Sequence, residues 1–359
     1  MKNEKSKCIC IRYAWSDDIV PAEQSRCPEI ALSFENLLHQ IKEEGGNPIY
    51  WANFKPDEMS LVLGIFIDPP APEDPFYRFC LEKAVPYILI VTENLYLQPY
   101  DTYAELAKHS SLILTYESNP LYGVKTRKLR YPVLHENSLV LRQEREAVEK
   151  QYLIGMINTY KKGKSPGDIY NFRNDMALYF AKKLKGKFGL YGIWWENISV
   201  YSKKWQRSLA KRMPRLAKKI LSWPNESCLG YLPPGLTAKY DFFSKCEFGV
   251  ALENNNSIGG YITEKIFNVL IGGAIPIYVG PPDVDTELPP DIYLDAKKFP
   301  SNNALLQYII TMPSAEKKKL RHKGLQYLQS AEAQKFSSRA FVTTIMQAIR
   351  DCQTGAILE

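Results

Sequence analysis

Short apolar runs alternate with helix-patterned stretches along most of the chain, and this alternation restricts the fold more than any other feature. "CICIRYA" reads as a strand, and "EIALSFENLLHQIKEEGG" sets Ile30, Phe34, Leu37, Leu38 and Ile41 at helical spacing before a Gly45–Gly46 stop. "PIYWA", "LVLGIFI", "YILIVTE" and "SLILTYE" follow as short strand candidates, with helical patterns between several of them. Strands linked in this way predict parallel sheets covered by helices. Over 135–151, "HENSLVLRQEREAVEKQ", the pattern turns polar and charged, and a second alternation then begins. It runs through strand "YLIGMIN", helix "DIYNFRNDMALYFAKKLKG" and strands "GLYGIWW", "EFGVALEN", "AIPIYVG" and "IYLDA", and the chain ends in helical patterns. A chain of 359 residues exceeds the length at which one core stops growing. The expectation is an α/β protein of two Rossmann-like domains facing a central cleft, residues 1–140 and 150–335, with a C-terminal helical segment 336–359.

Composition narrows the function classes. The opening "MKNEKSKCICIRYAW" lacks the apolar centre of a signal peptide and no 18-residue apolar run occurs, so neither secretion nor a membrane span is expected. Seven cysteines, odd in number, scattered and without a C-x-x-C, argue for reduced thiols in a cytoplasm. Four histidines far apart in sequence argue against a His-based metal site. The 23 tyrosines and six tryptophans suit sugar or base stacking and suit ordinary cores equally well.

Net charge is +7, but residues 203–219, "KKWQRSLAKRMPRLAKK", hold eight Lys and Arg and no acid; removing those eight from +7 leaves −1. The basicity is therefore one local feature, and no nucleic-acid role is expected. Trp205, Leu209, Met213, Leu216 and Ile220 recur there at helical steps, although Pro214 should kink or split the helix. Such a segment, 202–223, fits either a solvated helix packed on the second domain or an in-plane contact with an anionic membrane surface.

The most informative stretch is "EFGVALENNNSIGGYITEKIFNVLIGGAIPIYVG", a β–loop–α–β unit. Ligands of open parallel sheets sit at the carboxyl ends of strands, where its Asn-, Ser- and Gly-rich loop lies. The helix that follows offers unpaired N–H groups and a positive dipole end, a seat for phosphate. Lys265 is unfavourable for that dipole, which a bound anion would explain, and Glu264 could accept hydrogen bonds from a ribose diol. A helix start with two solvated charges is the plainer alternative. No G-x-G-x-x-G is present, so a dinucleotide fingerprint is unsupported.

"FGVALENNNSIGGYITEKIFNVLIGGAIPIYVGPPDV" resembles the donor-binding signature of glycosyltransferase family 10, the α-1,3/4-fucosyltransferases: F-x-x-x-x-E-N, a short loop, Y-[VI]-T-E-K, an apolar helix and a [VI]-P-[VI] strand ending in Gly. Weaker likeness extends from "IGMINTYKK" to "LDAKKFPSNNALLQYI", about half the chain. The resemblance implies a GT-B fold and inverting transfer of fucose from GDP-fucose to a hydroxyl of a glycan or glycolipid acceptor, as in surface-polysaccharide or glycoconjugate synthesis. It implies Tyr261 lining the nucleotide pocket, Glu264 on the ribose, Lys265 and Arg173 at the diphosphate, and Glu253 and Asn254 shaping the loop. It implies no obligatory metal or other cofactor. The family's base is a first-domain carboxylate after a central strand; Glu93 in "YILIVTEN" fits, with Glu117 in "LILTYESN" as rival.

The chain departs from the family in lacking an upstream arginine that some members carry in the region matching "CLGYLPPGLTAKYDFF", where Lys239 is the available cation. Asp283–Asp285, "DVD", imitates a metal-binding D-x-D but follows the "VGPP" turn and reads as loop. The alternatives are a GT-B glycosyltransferase using another nucleotide sugar and a catalytically inactive glycan-binding homologue. The expected location is the cytoplasm, with the 202–223 segment peripheral on the inner face of a membrane.

Overall fold

A computed structural model describes residues 5–13, 21–25, 27–93, 106, 108–120, 124–163, 166–192, 212–213 and 228–355. Among them are two six-stranded sheets, and every strand pairing within these sheets is parallel.

The first sheet comprises β1 (Ser6–Tyr13), β2 (Pro48–Tyr50), β3 (Met59–Ile67), β4 (Tyr87–Val91), β5 (Leu112–Thr115) and β6 (Thr126–Lys128), in the order β2-β1-β3-β4-β5-β6. Its central strands β3, β4 and β5 are apolar on both faces because both faces are covered. Leu63, Ile65, Ile67, Ile88 and Ile90 point to α1 (Pro28–Glu43), whereas Phe66, Tyr87 and Leu89 point to α2 (Pro75–Glu82). The period-two alternation thus divides one strand between two cores. Asp74 starts α2 by accepting the N–H groups of Phe76 and Tyr77 at 2.9 and 3.1 Å.

The chain crosses to the second sheet between Lys128 and Tyr152, through α3 (Ser138–Glu144). That sheet comprises β7 (Tyr152–Ile157), β8 (Phe188–Tyr191), β9 (Cys228–Gly230), β10 (Cys246–Leu252), β11 (Ile275–Val279) and β12 (Leu294–Asp295). The order β12-β11-β10-β7-β8-β9 is the doubly wound arrangement in which the chain leaves the central pair in opposite directions. On one face, α4 (Tyr170–Leu184) and α7 (Asn302–Thr311) bury Met176, Phe180, Leu305 and Ile309 against Ile154, Phe248 and Val250. On the other lie α5 (Leu236–Ser244) and α6 (Glu264–Ile271). Gly249 lets α6 approach closely, since a Cβ there would stand 2.7 Å from the Val269 methyls.

After α8 (Ser314–Leu328) and α9 (Ala331–Gln334) the chain returns to the first unit as α10 (Ser338–Thr354). Its Phe341, Ile345 and Met346 join the core of Phe34, Ile41 and Ile65, and the Phe341 and Phe34 rings meet edge-on at 5.3 Å. The sequence separates 336–359 as a terminal helical segment; physically its helix completes one face of the first sheet.

Candidate active site

β7 and β10 are neighbours from which the connections diverge, and a crevice forms where they do, beyond their carboxyl ends. A cavity of about 380 Å³ occupies it. Asn158 and Thr159 after β7, Asn254 after β10, Arg173 and Tyr170 of α4, Lys239 of α5 and Glu264 and Lys265 of α6 line it. Ser25 and Cys27 of the first unit close one side.

The loop into α6 is pinned by Glu253, which is fully buried. Its carboxylate accepts the Thr263 N–H and hydroxyl at 2.9 and 2.7 Å, the Tyr278 hydroxyl at 3.1 Å and Lys265 Nζ at 3.1 Å. Lys265 Nζ also donates to Thr263 Oγ1 at 2.8 Å and lies 3.9 Å from Glu264 Oε1. Burial alone would discharge Lys265, but Glu253 and Glu264 outweigh it and hold its pKa above the ordinary value. Burial likewise pushes Glu264 up, yet Lys265, Lys239 and local hydrogen bonds bring it down to about 2. Arg173 Nη1 donates to Asn254 Oδ1 at 2.6 Å and Nη2 to Asn158 Oδ1. The guanidinium lies over the Tyr170 ring at 5.4 Å, and its buried Nε has no hydrogen-bond partner among the described residues.

Of the residues that the sequence singles out, Arg173, Asn254, Glu264 and Lys265 therefore meet in one cavity. Glu93, Glu253 and Tyr261 do not line it. Glu253 lies beneath the wall and acts on it through Lys265. Tyr261 requires a correction: rather than lining the pocket, it is 1% exposed and packs 4.9 Å from the Tyr116 ring and 6.1 Å from the Tyr131 ring of the first unit. Gly260 explains the turn. Its φ is +79°, and a Cβ there would stand 2.2 Å from the Tyr116 carbonyl oxygen. The chain thus presses against the first unit and carries Tyr261 into the interface.

Glu93 follows β4 in the first unit, near enough to Lys265, Glu264 and Lys161 of the cavity wall for their charges to act on it. Its N–H donates to Asp68 Oδ1 at 2.9 Å, and its carbonyl accepts from the Tyr116 hydroxyl at 3.2 Å. Burial and the Asp68 charge push its carboxyl up to about 7, against the pull of Lys265. A carboxylate so placed can hold a hydroxyl proton near neutral pH. Glu117, its rival, sits after β5, with its N–H donating to Thr115 Oγ1 at 3.2 Å.

Lys239 stands at the cavity but is engaged across the cleft, donating at 3.1 Å to both oxygens of Glu29 on α1. Glu29 is fully buried. Two residues 210 apart in sequence thus join the units, and sequence spacing gives no signal of it. Asp68, which the sequence reading also misses, does leave a trace: like Glu93, it is an acid ending an apolar strand run. Asp283 accepts the Gly260 N–H at 2.8 Å and the Ser118 hydroxyl, and Asp285 accepts the Tyr293 hydroxyl at 3.3 Å. These two carboxylates organise a loop. Among the described residues no group of three or more His, Cys, Asp and Glu is placed to hold a metal ion. The 202–223 segment lies outside the described residues except for Arg212 and Met213. No described helix is long and apolar enough to cross a membrane.

Cations, helix N–H groups and a carboxylate around one crevice are groups that could take a nucleoside diphosphate, the cations at its phosphates and Glu264 accepting from a diol. Residues 227–354 match the family description "Glycosyltransferase family 10 (fucosyltransferase) C-term". The chain is 38% identical over 66 residues to an alpha-(1,4)-fucosyltransferase of Arabidopsis thaliana, a stretch covering 18% of this chain and 16% of that protein. It is 32% identical over 81 residues to the alpha-(1,3)-fucosyltransferase FucT of Helicobacter pylori, covering 23% of this chain and 16% of that one. The matched stretches thus span 16% of each of these relatives. A crystal structure of an alpha1,3-fucosyltransferase superposes with a TM-score of 0.56 at 14% identity, covering 99% of this chain and 92% of that one. At that identity the likeness speaks to fold, and the paired parallel sheets are of GT-B type.

Proposed function

We propose, from the match of residues 227–354 to glycosyltransferase family 10, that the chain transfers fucose from GDP-fucose to a hydroxyl of a glycan or glycolipid acceptor, with inversion. One observation carries the reading: Arg173, Glu264 and Lys265 converge in the crevice between β7 and β10, opposite Glu93. In this assignment Lys265 and Arg173 offset the diphosphate as it departs and Glu264 holds the ribose. Glu93 takes the acceptor's proton as the acceptor oxygen bonds to the sugar's anomeric carbon and the bond from that carbon to the β-phosphate oxygen breaks. A base on the acceptor side and cations on the leaving-group side suit inversion. No metal is required, since the cations supply the charge.

The test needs no acceptor. Purified protein incubated with a panel of nucleotide sugars should release nucleoside diphosphate slowly, and from GDP-fucose alone. Release from another donor would keep the fold and change the substrate; release from none, with GDP still bound, would support an inactive glycan-binding homologue.

On charge alone, the proposal extends to a cytoplasmic enzyme held at an anionic membrane surface by residues 202–223. Each Lys or Arg near such a surface contributes ~1 kcal/mol. Pelleting with anionic but not neutral vesicles, lost in high salt and in a Lys203/Lys204/Lys211/Lys218→Glu variant, is the expected result. Equal pelleting of that variant and the wild type removes the idea.

A further inference from the structure

Asp68 combines burial, charge and an unusual backbone, and its contacts converge on one turn. It directly follows β3, is 2% exposed, and holds φ at +59°. Side-chain-bearing residues seldom adopt that left-handed conformation, which Asn and Asp tolerate best. From there Oδ1 accepts the N–H groups of Thr92 and Glu93 at 2.7 and 2.9 Å, and Oδ2 accepts the Thr92 hydroxyl at 2.6 Å. The Asp68 N–H donates to the Ile90 carbonyl at 2.8 Å. With the Tyr116 hydroxyl on the Glu93 carbonyl, the turn is gripped from both neighbouring strands, β3 and β5.

Capping a strand end would not by itself require a charge, because asparagine offers an oxygen for the two N–H groups and tolerates the same backbone. A second carboxylate beside Glu93 in a buried setting raises the cost of ionising both. The other titratable or charged groups facing Glu93 are Glu264 and Lys265 of α6, Lys161 after β7, Tyr170 of α4, Tyr116, Tyr131 and Tyr261 of the interface, and Cys27. Of these, Glu264 carries negative charge on the far wall and the two lysines oppose it. Asp68 is the acid on Glu93's own side, in contact with its backbone.

We propose that Asp68 is a positioning residue for the transfer, acting through the Thr92–Glu93 turn that it grips and through the negative charge that it sets beside Glu93. This rests on Glu93 being the base. Asp68 touches no substrate; Glu93 receives the proton.

The experiment follows GDP release from GDP-fucose, with water as acceptor, from about pH 5 to pH 9 for the full chain and three variants. Asp68→Asn keeps the shape and removes the charge. The acidic limb of kcat/KM should move to lower pH by roughly one unit, because Glu93 then ionises more readily. Asp68→Ala releases the turn, and kcat should fall by up to about a hundredfold with KM for GDP-fucose unchanged. Glu93→Gln should lower GDP release by ~10²–10⁴-fold while retaining GDP affinity in a titration. An unmoved acidic limb in Asp68→Asn overturns the inference and leaves the Glu93 assignment standing. Wild-type release from Glu93→Gln overturns both. Because Asp68→Asn keeps an oxygen for the Thr92 and Glu93 N–H groups, and the Thr92 hydroxyl can rotate to accept from the new amide N–H, the test survives if Asp68→Ala fails to fold.

Discussion

Two carboxylates face the cleft from opposite units, and burial acts on both in the same direction. Glu93 nevertheless rises to about 7 while Glu264 falls to about 2. The difference lies in company. Glu264 has Lys265 and Lys239 beside it and the first turn of α6 behind it, whereas Glu93 has Asp68 in contact with its own turn. Desolvation presses both toward the neutral form, and the neighbours decide whether it succeeds. Divergent environments for two acids in one cleft separate a group that exchanges a proton from one that stays charged.

The strongest way to break that comparison is to neutralise each acid in turn. Glu93→Gln is expected to lower transfer by ~10²–10⁴-fold with GDP affinity unchanged, the range of a lost general base. Glu264→Gln should instead weaken GDP binding by about tenfold, the loss of a charge-assisted hydrogen bond. Calorimetric titration with GDP beside a rate measurement separates the two, and similar profiles for both variants would end the division of roles.

A second substitution probes the donor wall. Lys265→Ala is expected to weaken GDP binding about tenfold or more, from a contact worth ~1.5–3 kcal/mol. It should also destabilise the fold by roughly 2–3 kcal/mol, because fully buried Glu253 loses a cationic partner. Adding Glu253→Gln should recover much of the melting temperature and none of the GDP affinity. If Lys265→Ala binds GDP normally, Lys265 is only a strut for Glu253.

Lys239→Met addresses the bond between the units and should cost about 2 kcal/mol near pH 8 by leaving Glu29 buried without its cation. The sign of its pH dependence follows from burial, which raises the Glu29 carboxyl in the folded protein despite the counteracting Lys239. The folded state then binds the proton more tightly than the unfolded chain. The deficit should therefore shrink as pH falls through the raised value toward the ordinary carboxylate range. Thermal melts at several pH values check this, and a deficit independent of pH would point to lost packing alone. The smallest effect is expected from Tyr261→Phe. Its hydroxyl accepts from Asn254 Nδ2 at a long 3.4 Å and its ring is enclosed, so GDP affinity should change by less than about threefold. A larger change would return Tyr261 to the pocket wall.

Legibility in the sequence followed the distance over which each feature is encoded. The β10–loop–α6–β11 unit is contiguous, so its strand, turn and helix signals alone place Glu264 and Lys265 together. Arg173 is about 90 residues from Lys265 and was reachable only through the resemblance. Tyr261 failed because sequence gives the order of residues in a loop, while the left-handed Gly260 decides which way the next ring turns. The bond from Lys239 to Glu29 and the docking of α10 on the first sheet are long-range choices made by packing, for which local periodicity carries no information.

That docking has a mechanical consequence. The polypeptide passes between the two units once on the way out and once on the way back, and the two passages are laced together. The Val133 and Leu134 N–H groups donate to the Phe336 carbonyl at 2.8 and 3.0 Å, and the Ser338 N–H donates to the Leu134 carbonyl at 2.8 Å. A single connecting thread would permit swivelling about its own axis. A laced pair resists torsion and shearing in its plane and yields by flexing across it, so it behaves as a strap hinge. On that geometry a widening of the cleft would be a swing across the laced pair rather than a twist about one thread.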